Sequence, residues 1–132
     1  MILFLDDEKR EMDSYAKELE LCGYKVVFQK NVDEAWHFFE NNVDGIDLLI
    51  LDIMMPPGSI FKKVDTREGL RTGVHFFERI RKAAPDLPVI ILTNVSDYQL
   101  LQRFRKEDNC NFFRKEDYLP FELAEEVEKI LK

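Results

Sequence analysis

Adjacent aspartates, Asp6 and Asp7, follow the first apolar run of the chain, and Asp52 follows another. Thr93 and Lys115 stand at the ends of two more such runs. Carboxylates gathered in a low dielectric repel one another. A hard divalent cation relieves that repulsion, and Mg²⁺ prefers carboxylate oxygens and waters in octahedral geometry. Lys115 adds a fixed positive charge and Thr93 a hydroxyl. With a carboxylate oxygen as nucleophile, such a set would cradle a phosphoryl group. Singly, each residue has an ordinary reading: Asp6 as a helix cap, Asp7 as part of a solvated turn, Asp52 as a loop carboxylate, Thr93 as a strand-end β-branched residue, Lys115 as a surface lysine. The conjunction at four strand ends, each with the needed residue type, carries the argument.

The positioning elements are legible in the hydrophobic pattern. Short apolar runs at Met1–Leu5, Lys25–Phe28, Asp47–Leu51, Val89–Leu92 and Asn111–Arg114 read as strands. Leu48–Leu51 is apolar without alternation, which suits a strand buried on both faces. Between them, Glu8–Leu21, a stretch opening at Asn31, Val74–Ala84, Ser96–Lys106 and Pro120–Leu131 show helical spacing of apolar residues. Asn31 with Glu34 three residues on resembles a capping box, and Gly23 stands as a helix C-cap. Strands joined through helices run parallel. The expected fold is therefore α/β, a doubly wound parallel sheet of five strands with helices on both faces. In such sheets the ligand site lies at the carboxyl ends of the strands, where the chemistry-bearing residues fall. The irregular stretch 55–72 is long against the usual strand-to-helix connection of about two to six residues.

The 132 residues suit one domain, and 45% hydrophobic with 34% charged residues exclude general disorder. A formal net charge of −7 argues against non-specific nucleic-acid binding. Cys22 and Cys110 form no C-x-x-C pair and no zinc-spaced cluster, and read as reduced thiols. There is no apolar run long enough to span a membrane, and the N-terminal run lacks a basic region before it. A cytoplasmic location is expected.

The chain resembles the receiver domains of response regulators, the CheY-like family. Phe4-Leu5-Asp6-Asp7-Glu8 and Leu48–Pro56 (L-L-I-L-D-I-M-M-P) carry the likeness, with Val89–Thr93 and Phe112–Lys115 in support. The resemblance covers essentially the whole chain, 1–132, as one receiver domain, except for the extended loop 55–72. It implies a flavodoxin-like (βα)₅ fold with strand order 2-1-3-4-5. It implies Asp52 as phosphoacceptor, and Asp6, Asp7, Asp52 and the backbone carbonyl of Met54 as holders of Mg²⁺. Thr93 would sense the phosphoryl group, Lys115 would pair with Asp52 or the phosphoryl oxygens, and Phe112 would be the switch aromatic. Such a domain is a phosphoacceptor with autophosphatase capacity rather than an enzyme acting on external substrates. Its partners would be a sensor histidine kinase or phosphotransfer protein and a downstream protein target. A homodimer would form through the fourth helix, fifth strand and fifth helix. No direct nucleic-acid or membrane contact is expected. If the chain is the full protein, it is a single-domain regulator.

The sequence departs from the family pattern in three places. Glu116 follows Lys115 where the family usually has a cis-proline, so a trans bond is expected. Asn94 follows Thr93 where a small residue is usual, narrowing access or bonding the phosphoryl oxygens. The loop 55–72 is either a tolerated insertion or a lid or docking element, its Lys62, Lys63, Arg67 and Arg71 answering phosphate charge. Rival readings are a pseudo-receiver binding partners without phosphorylation, a Mg²⁺-dependent phosphohydrolase, and a receiver-like domain acting on cyclic phosphates.

Overall fold

The central strands are short apolar runs stopped by polar or turn-forming residues. A computed structural model describes residues 1–132. Its strands are β1 (Ile2–Leu5), β2 (Val26–Gln29), β3 (Leu48–Leu51), β4 (Val89–Thr93) and β5 (Cys110–Arg114). The helices are α1 (Lys9–Leu21), α2 (Val32–Asn41), α3 (Thr72–Ala83), α4 (Tyr98–Arg105) and α5 (Pro120–Leu131). The five strands form one parallel sheet in the order β2-β1-β3-β4-β5. This is the expected doubly wound topology.

The two-residue period of a strand divides the core between the faces. Leu3, Leu5, Leu49, Leu51, Val89 and Ile91 pack with Phe39 of α2, Phe77 and Ile80 of α3 and Phe104 of α4. Ile2, Phe4, Leu48, Ile50, Ile90 and Leu92 pack with Met12 and Leu19 of α1 and Leu123 and Val127 of α5. Every residue of β1, β3 and β4 is buried, whereas edge strand β2 is half-buried throughout. Hence the central strands need uninterrupted apolar runs.

The caps are local. The Asn31 side chain accepts a hydrogen bond from the Glu34 amide and opens α2. Gly23, at φ +96°, turns the chain out of α1. α4 starts later than the apolar spacing suggested, at Tyr98 rather than Ser96, because the Asp97 carboxylate accepts from the Gln99 and Leu100 amides. α3 begins at Thr72, so the irregular stretch ends one residue earlier than expected.

That stretch is well anchored. The Asp33 carboxylate on α2 accepts from the backbone amides of Ser59 (2.8 Å) and Ile60 (2.9 Å). Phe61 is buried, and the Arg79 guanidinium lies between its ring and Trp36, 5.7 and 4.8 Å from the ring centroids. Farther on, the Thr72 hydroxyl donates to the Met55 carbonyl, the Met55 amide to the Gly69 carbonyl, and the Arg71 amide to the Thr66 carbonyl. Gly69 has φ +90°, and a Cβ there would lie 2.8 Å from the Met55 carbonyl oxygen. No helix is long and apolar enough to cross a membrane.

Candidate functional site

Register determines which side chains meet. Leu5 pairs with Leu51, and Leu51 with Ile91. The residues that follow, Asp6 and Asp52, therefore leave adjacent strands at one edge of the sheet, with Thr93 closing β4 beside them. Lys115 leaves β5 farther along the same edge and reaches back across it.

Lys115 is the electrostatic centre. Its Nζ lies 2.9 Å from Asp6 Oδ2 and 3.3 Å from Asp52 Oδ2. All three side chains are at least nine-tenths buried. Burial pulls the ammonium pKa down, but the charge of Asp52 and the hydrogen bonding and charge of Asp6 outweigh it and hold it above its ordinary value. The expected role of Lys115 as a partner of Asp52 thus has its geometry, with Asp6 added.

The acidic wall is under strain of like charge. Asp6 Oδ1 accepts from the Glu8 amide at 2.8 Å. Asp6 Oδ2 faces the Lys115 ammonium at 2.9 Å and has no other polar partner. Burial first, and the Asp52 charge second, push the Asp6 pKa up to about 6. Asp7 is exposed, and its pKa is also raised, by partial desolvation and then by the charges of Asp52 and Glu8. Asp52 is 4% exposed, and its Oδ1 accepts from the Ile53 amide at 2.8 Å.

One carboxylate oxygen from each of Asp6, Asp7, Glu8 and Asp52 lies within 4.8 Å of the others. This all-carboxylate donor set, two of its members buried, fits a hard divalent cation such as Mg²⁺. Glu8 was not among the sequence candidates for this cluster. The apolar spacing makes it the start of a helix, and only the structure brings its carboxylate to Asp6, Asp7 and Asp52.

The other candidates take their places around this centre. Met54 is exposed on the rim of a cleft also lined by Asp7, Glu8, Pro56, Glu68 and Leu70. Thr93 is fully buried, and its hydroxyl accepts from the Val95 amide at 3.2 Å, within its own loop. Phe112 is half-buried and stacks on Phe104 of α4 at 5.8 Å. Phe112 therefore lies on the α4 side of the sheet. Asn94 is exposed at the start of the β4–α4 loop.

Glu116 does not join the acidic wall. Its carboxylate pairs with the Arg114 guanidinium and is largely exposed. The chain contains no cis peptide bond, so the Lys115–Glu116 link is trans as expected. Lys115–Asp117 form a single 3₁₀ turn, and the Tyr15 hydroxyl on α1 donates to the Tyr118 carbonyl at its end.

Gly73 is a site residue that sequence reasoning passed over. A Cβ there would stand 2.1 Å from the Asp52 carbonyl oxygen and 2.6 Å from Ile53 Cα. The first turn of α3 thus lies directly on the backbone of Asp52, and the Gly73 amide donates to the Ile53 carbonyl at 2.8 Å. Gly73 lies between the irregular stretch 55–72 and the helical spacing of Val74–Ala84, so no periodic signal marked it.

Comparison with known proteins agrees with this architecture. MprA, a response regulator from Mycobacterium sp. (strain KMS), is 29% identical over 92 residues, 70% of this chain and 34% of that protein. The transcriptional regulatory protein CpxR from Escherichia coli (strain K12) is 39% identical over 71 residues, 53% of this chain and 28% of that protein. The chain thus spans about a third of the length of these curated relatives. A crystal structure of a response regulator receiver domain protein from Clostridium thermocellum superposes with a TM-score of 0.79 at 26% identity, covering 98% of this chain and 92% of that one. The response regulator receiver domain family matches residues 2–128. The parallel sheet in the order β2-β1-β3-β4-β5, and a match that takes in all five of its strands, make this chain a member of the response regulator receiver domain family.

Proposed function

We propose that this receiver domain accepts a phosphoryl group on Asp52 from a phosphohistidine of a sensor histidine kinase or phosphotransfer protein. The observation that carries this reading is the buried Lys115 ammonium set between Asp6 and Asp52 at the carboxyl edge of the sheet. The phosphorus–nitrogen bond of the donor would break as a bond forms from an Asp52 carboxylate oxygen, and the imidazole would leave and take up a proton. Lys115 is placed to balance the negative charge that transfer adds at Asp52.

Asp6, Asp7, Glu8, Asp52 and the Met54 carbonyl would hold Mg²⁺, which supplies positive charge to the phosphoryl oxygens. Thr93 would respond to the phosphoryl group and Phe112 to Thr93. That path leads to the α4–β5 face, where Val95, Tyr98, Leu101, Phe112 and Tyr118 line an open groove. A downstream protein or a second copy of the domain would read this face. The chain is proposed to act as one domain over 1–132, in the cytoplasm, with self-dephosphorylation but no external substrate.

The test is intact mass after incubation with Mg²⁺ and acetyl phosphate, for the wild type and Asp52→Asn. A gain of one phosphoryl group, absent in the variant, is expected. No gain from acetyl phosphate or from a phosphohistidine donor would replace this reading with a phosphorylation-independent binding module.

A further inference from the structure

Lys115 works only if the turn that carries it holds still. A short turn after a strand, followed by Glu116, has ordinary backbone freedom. Tyr15 of α1, a hundred residues earlier in the chain, meets this turn. Its hydroxyl lies 2.6 Å from the Tyr118 carbonyl oxygen and 3.3 Å from the Lys115 carbonyl oxygen. A hydroxyl has one proton, so the short contact is the main hydrogen bond, and the Lys115 carbonyl shares it weakly. The Phe113 ring also packs on Tyr118, with centroids 4.3 Å apart. Glu116 is drawn outward by Arg114. The turn is therefore clamped at its end, and the Lys115 side chain is left to point across the sheet edge.

We propose that Tyr15 is a positioning residue for phosphoryl transfer: its hydroxyl fixes the 115–118 turn from α1, so that the Lys115 ammonium reaches both Asp6 and Asp52. This rests on the phosphoacceptor reading of Asp52. Tyr15 touches no reacting group and acts through Lys115 alone. The ring is half-buried against the α1–α5 side of the core, so loss of the hydroxyl alone leaves that packing in place.

The experiment compares the wild type with Tyr15→Phe in the full chain. It measures the phosphorylation rate with acetyl phosphate at saturating Mg²⁺, the Mg²⁺ affinity, the melting temperature, and the NMR signal of the Lys115 ε-methylene, assigned with Lys115→Arg. The expected result is a phosphorylation rate lower by roughly tenfold, an unchanged Mg²⁺ affinity and a shifted Lys115 signal. An unchanged rate in folded protein would overturn the proposal, as would a lower rate with an unmoved Lys115 signal. If the wild type takes up no phosphoryl group, the phosphoacceptor reading fails by itself. The Lys115 signal still decides whether Tyr15 positions that side chain, and an unmoved signal would overturn the inference on its own.

Discussion

The Arg71 guanidinium lies 2.7 Å from the Asp97 carboxylate and joins the residue before α3 to the residue that caps α4. Asp97 does two things at once. One oxygen accepts from the Gln99 and Leu100 amides and the other from Arg71. Its pKa is lowered, first by the Leu100 amide and with help from Arg71. The irregular stretch after β3 is thereby tied to the loop that follows Thr93. Asp97→Asn keeps an acceptor for the cap and loses the charge pair, whereas Asp97→Ala loses both. Melting temperatures should fall in the order Asp97→Asn then Asp97→Ala, with Arg71→Ala close to the former. Equal effects of the two Asp97 variants would show that the cap contributes nothing.

Asp6 makes stability depend on pH in a particular direction. Its carboxyl has a pKa of about 6 in the folded chain against 3.8 for a free side chain. A raised acid favours folding when protonated, so its contribution is full below the unfolded value and is lost as pH rises through about 6. The shift corresponds to about 3 kcal/mol. Without divalent cations, wild type should lose stability relative to Asp6→Asn across this window, measured by denaturant unfolding. Mg²⁺ should restore wild type above pH 6 by binding the folded form, and restore the variant less. Parallel pH profiles of the two proteins would remove the basis for this argument.

At Gly73 the usual helix rule should reverse. An exposed helical glycine changed to alanine gains roughly 0.5–1 kcal/mol. Here the added methyl meets the Asp52 carbonyl at 2.1 Å. Gly73→Ala should therefore destabilise, by at least the roughly 1–3 kcal/mol typical of overpacking, and should slow phosphorylation of Asp52. A stabilised variant would mean that α3 moves away from β3 without loss.

Phe61 anchors the irregular stretch through its burial and its contact with Arg79. Phe61→Ala should cost about 3 kcal/mol and open residues 58–66 to protease. If cleavage there stays unchanged, the Asp33 hydrogen bonds to Ser59 and Ile60 hold the stretch by themselves.

Asn94 is exposed and directly follows Thr93 at the carboxyl end of β4. Asn94→Ala should widen access for water and speed loss of the phosphoryl group, followed as decay of the phosphorylated mass. Unchanged rates of phosphorylation and decay would leave Asn94 without a role.

The strands, the helices and the gathering of Asp6, Asp52, Thr93 and Lys115 at one edge were legible in the sequence. Continuous apolar runs specify buried parallel strands, and parallel strands put their carboxyl ends together. Helix starts were less legible. A side chain such as Asp97 can take over backbone donors and override apolar spacing, as it does at α4. The long stretch after β3 read as a tolerated insertion or as a lid or docking element, and its anchoring was not legible, because nothing local says that Asp33, on another helix, supplies its hydrogen bonds.

Residue type and order therefore determined which groups would meet. Tertiary structure alone decided how they meet: Lys115 bridging two carboxylates, Glu116 turned out to Arg114, Gly73 pressed on Asp52, and Tyr15 gripping a turn a hundred residues away. Periodicity is a property of neighbours along the chain, whereas these contacts depend on packing between elements distant in sequence. Their geometry exists only once both faces of the sheet are covered.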